Sequence, residues 1–194
     1  MDAALQHILQ GCKQKDRTAQ KALYEEYCSL FMSICMRYVH TQADAEEALH
    51  DAFLRIFKHI DKYSGQGSFE GWMKKIVVNC CLTYIGKSGY QAQTKIISIQ
   101  TNENNQPGII SDLEDTAPFE DRYDKEYLQH LLQNLPDTTR IVFNLYVFEE
   151  YNHAEIGELI GIAERTSQSH LAKARKILST ELDKKKLKSK ILRV

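Results

Sequence analysis

The stretch Phe69 to Lys87, FEGWMKKIVVNCCLTYIGK, sets the only tryptophan, Trp72, beside the cations Lys74 and Lys75, with a lone amide, Asn79, further on. At helical spacing Trp72, Ile76, Asn79 or Cys80 and Thr83 share one side, and Lys75, Val78 or Asn79 and Leu82 a neighbouring one. No acid follows Glu70 until well past Lys87, so the polar face of such a helix is expected to be cationic. An aromatic ring among cations and an amide suits unstacked nucleotide bases. The competing reading is a buried helix whose lysine stems carry their charges out to water.

A second polar cluster, Arg165, Thr166, Gln168, Ser169, His170, Lys173 and Arg175, falls near the C-terminal end. Gln pairs with adenine and Lys or Arg with guanine in a major groove, while hydroxyls and the remaining cations hold phosphates. The flanking pattern supplies the elements that position such side chains. One predicted helix carries Ile141, Val142, Leu145 and Tyr146. The next starts at Asn152 with Glu155 three residues on, close to a capping box, and packs through Ala154, Ile156, Leu159 and Ile160. It stops at Gly161, a natural residue just past a helix end. A third helix follows through Thr166, Leu171, Ala174, Leu178 and Leu182. Helix, glycine turn and a helix with outward cations make a helix-turn-helix signature; an ordinary helical hairpin is the alternative.

Two Glu-x-x-His pairs, Glu47/His50 and Glu150/His153, have the spacing that supplies ligands in di-iron helical bundles. Placement argues against a metal. The first pair flanks its apolar stripe instead of lying on it, and the second straddles a helix boundary. No glycine-rich phosphate loop, Ser/His/Asp order or zinc spacing occurs, so the expectation is a non-enzyme without metal or cofactor.

The rest of the chain is the frame for these clusters. Its 194 residues, 43% hydrophobic and 26% charged, are those of an ordinary soluble protein. The net charge of -1 conceals an asymmetry, because from Asn152 onward ten bases face five acids while 103–126 is acidic. The five cysteines form no C-x-x-C pair and mostly fall at apolar helical positions, as reduced packing residues in a cytoplasm. No signal-peptide pattern or membrane-spanning run appears, so a cytoplasmic protein is expected, with no membrane insertion. Leu5, Ile8 and Leu9 open an amphipathic helix ending near Gly11. Asp16 caps a second, with Ala19, Leu23, Tyr27, Leu30, Phe31, Ile34, Cys35 and Tyr38 inward. Thr41 caps a third, with Ala45, Leu49, Ala52, Phe53, Ile56 and Ile60 inward. Asp61 to Ser68 is a loop. Two of the three prolines, Pro107 and Pro118, and most of the acids mark a flexible linker, with only Lys95 to Ile99 extended. Helical periodicity returns at Tyr123 and breaks at Pro136. The expected fold is all-α, two small helical domains, 1–90 and 123–194, joined by an acidic linker, 91–122.

The order Tyr24-Glu-Glu-Tyr27, ADAEEALHDAFLRIFK, a Ser/Gly loop, GWMKKIVVNCCLTYIGK, an acidic linker and LPDTTRIVFNLYVFEEYNHAEIGELIGIAERTSQSHLAKARKIL resembles extracytoplasmic-function RNA polymerase sigma factors over nearly the whole chain. The resemblance implies a region 2 bundle that binds core polymerase and the -10 element, and a region 4 helix-turn-helix for the -35 element. It implies that Glu47, His50, Asp51 and Leu54 dock on the polymerase clamp helices, with region 4 on the flap. His50 departs from the usual Gln, whereas Glu47 and Asp51 keep the family's charges. The 61–69 loop, with Tyr63, Ser64 and Phe69, matches the segment that receives a flipped -10 base. Asn79 matches an Asn that helps read that base, and Lys74, Lys75 and Thr83 match strand-contacting positions. Gly86 stands where relatives often carry a cation. Arg165, Thr166, Gln168, Ser169, Ala172, Lys173 and Arg175 form the -35 set, with Gln168 and His170 replacing cations of many relatives. The partners implied are core RNA polymerase, promoter DNA and an anti-sigma factor. The rival readings are a free-standing helix-turn-helix regulator and, more remotely, a metal-dependent helical enzyme.

Overall fold

The computed structural model describes residues 3–87 and 125–191. Every regular element among them is helical, and the chain divides into two compact units, Met1–Tyr90 and Gln91–Val194. The expected linker 91–122, its extended piece Lys95 to Ile99, and residues 123 and 124 lie outside the described residues. Of 183–191 only the helical backbone is described.

The first unit comprises α1 (Ala3–Lys13), α2 (Arg17–Tyr38), α3 (Gln42–His59), a 3-10 turn at Ile60–Lys62, and α4 (Phe69–Lys87). Asp16 caps α2 by accepting from the Thr18 N–H, and Thr41 caps α3 by accepting from the Asp44 N–H; each such cap is worth about 1 kcal/mol. Gly11 does not end α1, which continues to Lys13. A Cβ at Gly11 would stand 2.6 Å from the Ala19 Cβ, so the glycine lets α1 lie close against α2. Phe31 and Phe53 meet in the core with ring centroids 5.7 Å apart. Ala45, Leu49, Ala52, Phe53, Ile56 and Ile60 are buried as expected, but Leu30 is 38% exposed, turned one helical step away from the buried Phe31.

In the second unit α5 (Lys125–Gln133) and α6 (Asp137–Val147) precede α7 (His153–Ile160) and α8 (Glu164–Ile191). Arg140 is almost fully buried at the α5–α6 corner. Its guanidinium donates to the Asp137 carboxylate at 2.7 Å and to the Leu135 carbonyl at 3.3 Å. Asn152 and Glu155 make both bonds of a capping box. Gly161 ends α7 in the left-handed region at φ 72°, and the Ile162 N–H returns to the Gly157 carbonyl at 3.0 Å. That return brings the Ile162 carbonyl oxygen within 2.7 Å of where a Cβ on Gly157 would sit, so the tight turn needs glycine at two positions. Ser167, Leu171, Ala174 and Leu178 face the core from α8, whereas Thr166, expected inward, is exposed one step round the helix.

Candidate nucleic-acid interface

Helix α4 is buried on most of its circumference. Met73, Ile76, Val77, Val78, Cys80, Cys81, Leu82 and Ile85 are all in the core. One part that remains open is a stripe of exposed Lys75 with half-buried Asn79 and Thr83, spaced four residues apart. The Thr83 hydroxyl donates to the Asn79 carbonyl at 2.7 Å, leaving the Asn79 side chain as the amide on the stripe. Lys74 is not part of it. The helix starts at Phe69, so Glu70 lies in its first turn and pairs with Lys74 at 2.7 Å; the expected purely cationic face therefore carries one acid.

The loop ahead of α4 is held from inside. Tyr63 and Phe69 are buried, with ring centroids 5.0 Å apart, and each packs on the half-buried Trp72 at 5.8 Å. The Tyr63 hydroxyl donates to the Gly67 carbonyl at 2.9 Å, and Lys13 donates to the Tyr63 carbonyl at 3.5 Å. Between these anchors Ser64, Gly65, Gln66, Gly67 and Ser68 are exposed, with Gly65 and Gly67 at positive φ and open space where their side chains would be. Tyr63 and Phe69, grouped by sequence with the base-contacting residues, therefore shape the loop from beneath, because their rings are spent on the core.

On α3, Glu47 and His50 are exposed, Asp51 is half-buried and Leu54 is 55% exposed. They share the outer side of a helix whose inner side is apolar, beside Tyr24 of α2, itself 43% exposed with its ring 4.7 Å from Phe53.

In the second unit α7 and α8 make a helix-turn-helix. Arg165, Thr166, Gln168, Ser169, Ala172, Lys173 and Arg175 are all exposed on α8. His170 turns the other way: its Nδ1 is 3.0 Å from the Thr139 hydroxyl of α6. His153 Nδ1 lies 2.9 Å from the buried Ser167 hydroxyl, and its ring stacks on Tyr146 at 4.6 Å. Arg175 also lies over the Tyr146 ring, 6.0 Å from its centroid. Burial holds both imidazoles below the ordinary histidine value. For His153 Arg175 adds to the shift while Glu164 opposes it, and for His170 Lys173 adds to it. Thr139, Arg140, Gly157 and Ser167 were not singled out by residue type. Ser167 had a signal, since it precedes Leu171, Ala174 and Leu178 at helical spacing on their buried face.

Among the described residues no group of three or more His, Cys, Asp or Glu could hold a metal ion, and no helix is long and apolar enough to cross a membrane. Of the two Glu-x-x-His pairs, one lies in each unit, and His153 is engaged with Ser167.

An all-helical protein with a helix-turn-helix and exposed cations on its second helix belongs to the class of DNA-binding proteins. Comparison with known families narrows this. The family model Sigma-70 region 2 matches residues 23–89, and Sigma-70, region 4 matches 125–178, in that order and together over more than half of the chain. The chain belongs to the sigma-70 family, as an extracytoplasmic-function sigma factor. It is 22% identical over 181 residues to the ECF RNA polymerase sigma-E factor of Haemophilus influenzae, covering 91% of this chain and 94% of that protein. It is 26% identical over 165 residues to the ECF RNA polymerase sigma factor SigE of Mycolicibacterium smegmatis, covering 84% of this chain and 61% of that one. A solved structure, CnrH in complex with the cytosolic domain of CnrY, aligns over 91% of this chain and 95% of its own, at 14% identity and a TM-score of 0.48.

Proposed function

We propose that this chain binds core RNA polymerase and directs it to promoters, initiating transcription without catalysing a reaction of its own. The observation that carries the reading is the ordered pair of region 2 and region 4 matches in one chain. A DNA-binding module alone does not require the first.

In this reading Glu47, His50, Asp51 and Leu54 form the docking face for the clamp helices. Leu54 adds apolar area to a face otherwise made of charged and polar groups. The exposed loop from Ser64 to Ser68 receives a base turned out of the -10 element, and Asn79 reads it. Lys75 and Thr83 follow the strand, and Lys74 contributes once its pairing with Glu70 gives way. Tyr63 and Phe69 support the loop. Turning out a base costs a few kcal/mol, which stacking and fixed hydrogen bonds offset. The exposed set from Arg165 to Arg175 lies in the major groove of the -35 element, where Gln168 and Lys173 read base edges and Arg165 holds phosphate. Family membership also supports an anti-sigma partner and a site of action in the cytoplasm; co-purification from cells tests the partner.

Run-off transcription with core enzyme on a library of promoters tests the function. Transcripts that need both the chain and core are expected, and their start sites yield the promoter sequence. Tight, specific duplex binding by the chain alone, with no effect on core, would instead make it a free-standing regulator.

A further inference from the structure

Tyr84 follows Thr83 in α4, one step round the helix from the open stripe. Its hydroxyl donates to Asp44 Oδ1 at 2.5 Å, a bond spanning 40 residues of sequence. The acceptor is itself held, because Asp44 lies in the first turn of α3 and its N–H donates to the Thr41 hydroxyl at 3.1 Å. The Tyr84 hydroxyl is pushed up to about 12, first by the bond to Asp44, then by burial and by the charges of Asp44 and Glu47. The Asp44 carboxyl is held below its ordinary value by the same bond. The two directions agree on a neutral phenol donating to a carboxylate.

The buried residues of α3 and α4 are apolar. Apolar burial resists separation but is non-directional, so by itself it tolerates small rotations and slides. A short, charge-assisted hydrogen bond does not. Asn79 is five residues from Tyr84, about 7.5 Å along the helix axis, so fixing α4 at Tyr84 also fixes the angle at which the stripe faces out. The carboxylate end of this bond sits in the same helix as Glu47, whose charge also raises the phenol.

We propose that Tyr84 is a positioning residue: through Asp44 it sets the rotation of α4 on α3 and thereby presents Lys75, Asn79 and Thr83 to the promoter strand. The inference rests on the reading of that stripe as the strand-contacting surface.

The test uses the full chain with core polymerase on a promoter carrying 2-aminopurine in the -10 element, read as fluorescence on opening. Asn79→Ala serves as the reference and is expected to reduce opening. Tyr84→Phe and Asp44→Ala are each expected to reduce it about five- to tenfold, the scale of one hydrogen bond. Core affinity should stay at the parent value, and the melting temperature should fall only by the few degrees that one lost hydrogen bond costs. Asp44→Asn keeps the Oδ1 acceptor and should restore most of the opening, which a general loss of packing would not allow. Parent-like opening in Tyr84→Phe beside an impaired Asn79→Ala would overturn the inference while leaving the stripe intact. An unimpaired Asn79→Ala would overturn both. Equal losses of core affinity and opening in Tyr84→Phe would make the residue merely structural and also defeat the proposal.

Discussion

His153 Nδ1, on the first residue of α7, lies 2.9 Å from the hydroxyl of Ser167 in α8, and this pair ties the two helices of the helix-turn-helix to each other. A second imidazole–hydroxyl pair, His170 with Thr139, ties α8 to α6. The helix that carries the exposed cations is thus anchored on two sides by rings that burial keeps neutral.

This anchoring makes stability depend on pH with a definite sign. Both histidines lie below 6.5 in the folded chain and return to about 6.5 when it unfolds. Above that value neither state is protonated and the pair contributes no slope. As pH falls through 6.5 the unfolded chain takes up protons first, so stability declines. Thermal unfolding of the chain at pH 7.5 and 5.5 should show a lower transition at the acid value. His170→Asn should flatten that difference; an unchanged difference would remove His170 from the account.

Gly157 is the tightest point of the turn. Gly157→Ala places a Cβ 2.7 Å from the Ile162 carbonyl oxygen, a backbone atom that cannot swing aside. A cost of about 1–3 kcal/mol is expected, of the size seen for overpacking, reduced by at most about 1 kcal/mol through the better helix propensity of alanine. Urea denaturation measures it, and a variant as stable as the parent would show that the turn can open.

Leu54 is exposed and carries little of the fold. Leu54→Asp and Glu47→Lys should each weaken binding to core polymerase by tenfold or so, about 1.4 kcal/mol, with helical content unchanged by circular dichroism. Parent-like affinity in both would take α3 out of the interface.

Tyr63 separates support from contact. Tyr63→Phe keeps the buried ring but loses the bond to the Gly67 carbonyl, so the loop should loosen at a cost of about 1 kcal/mol. Promoter opening should fall several-fold, with the melting temperature lower by only a few degrees. If opening is untouched, the hydroxyl does not shape the loop.

Lys173→Ala should weaken binding to a -35 duplex by about 1–3 kcal/mol and narrow its preference over a mismatched duplex. The comparison with a mismatched duplex distinguishes base reading from phosphate contact, since only a base contact narrows the specificity ratio.

The helices, their caps and the helix-turn-helix were legible in the sequence because their causes are local. Asp16 and Thr41 bond N–H groups two or three residues away, and Asn152 and Glu155 bond each other across a single turn. The outward set on α8 was legible too, since Leu171, Ala174 and Leu178 leave only one side for the polar residues. Tertiary contacts decided the rest. Aromatic type could not say that Tyr63 and Phe69 face inward, whereas the Glu70–Lys74 pair is one that i,i+4 spacing already offers. Tyr84 and Asp44 are 40 residues apart, His170 and Thr139 are 31 apart, and no periodicity connects them. Residue order determined which helices form and which sides are apolar, because those depend on neighbours within a turn or two. How α4 is set against α3, and α8 against α6 and α7, depends on bonds between distant residues that exist only once the helices have packed.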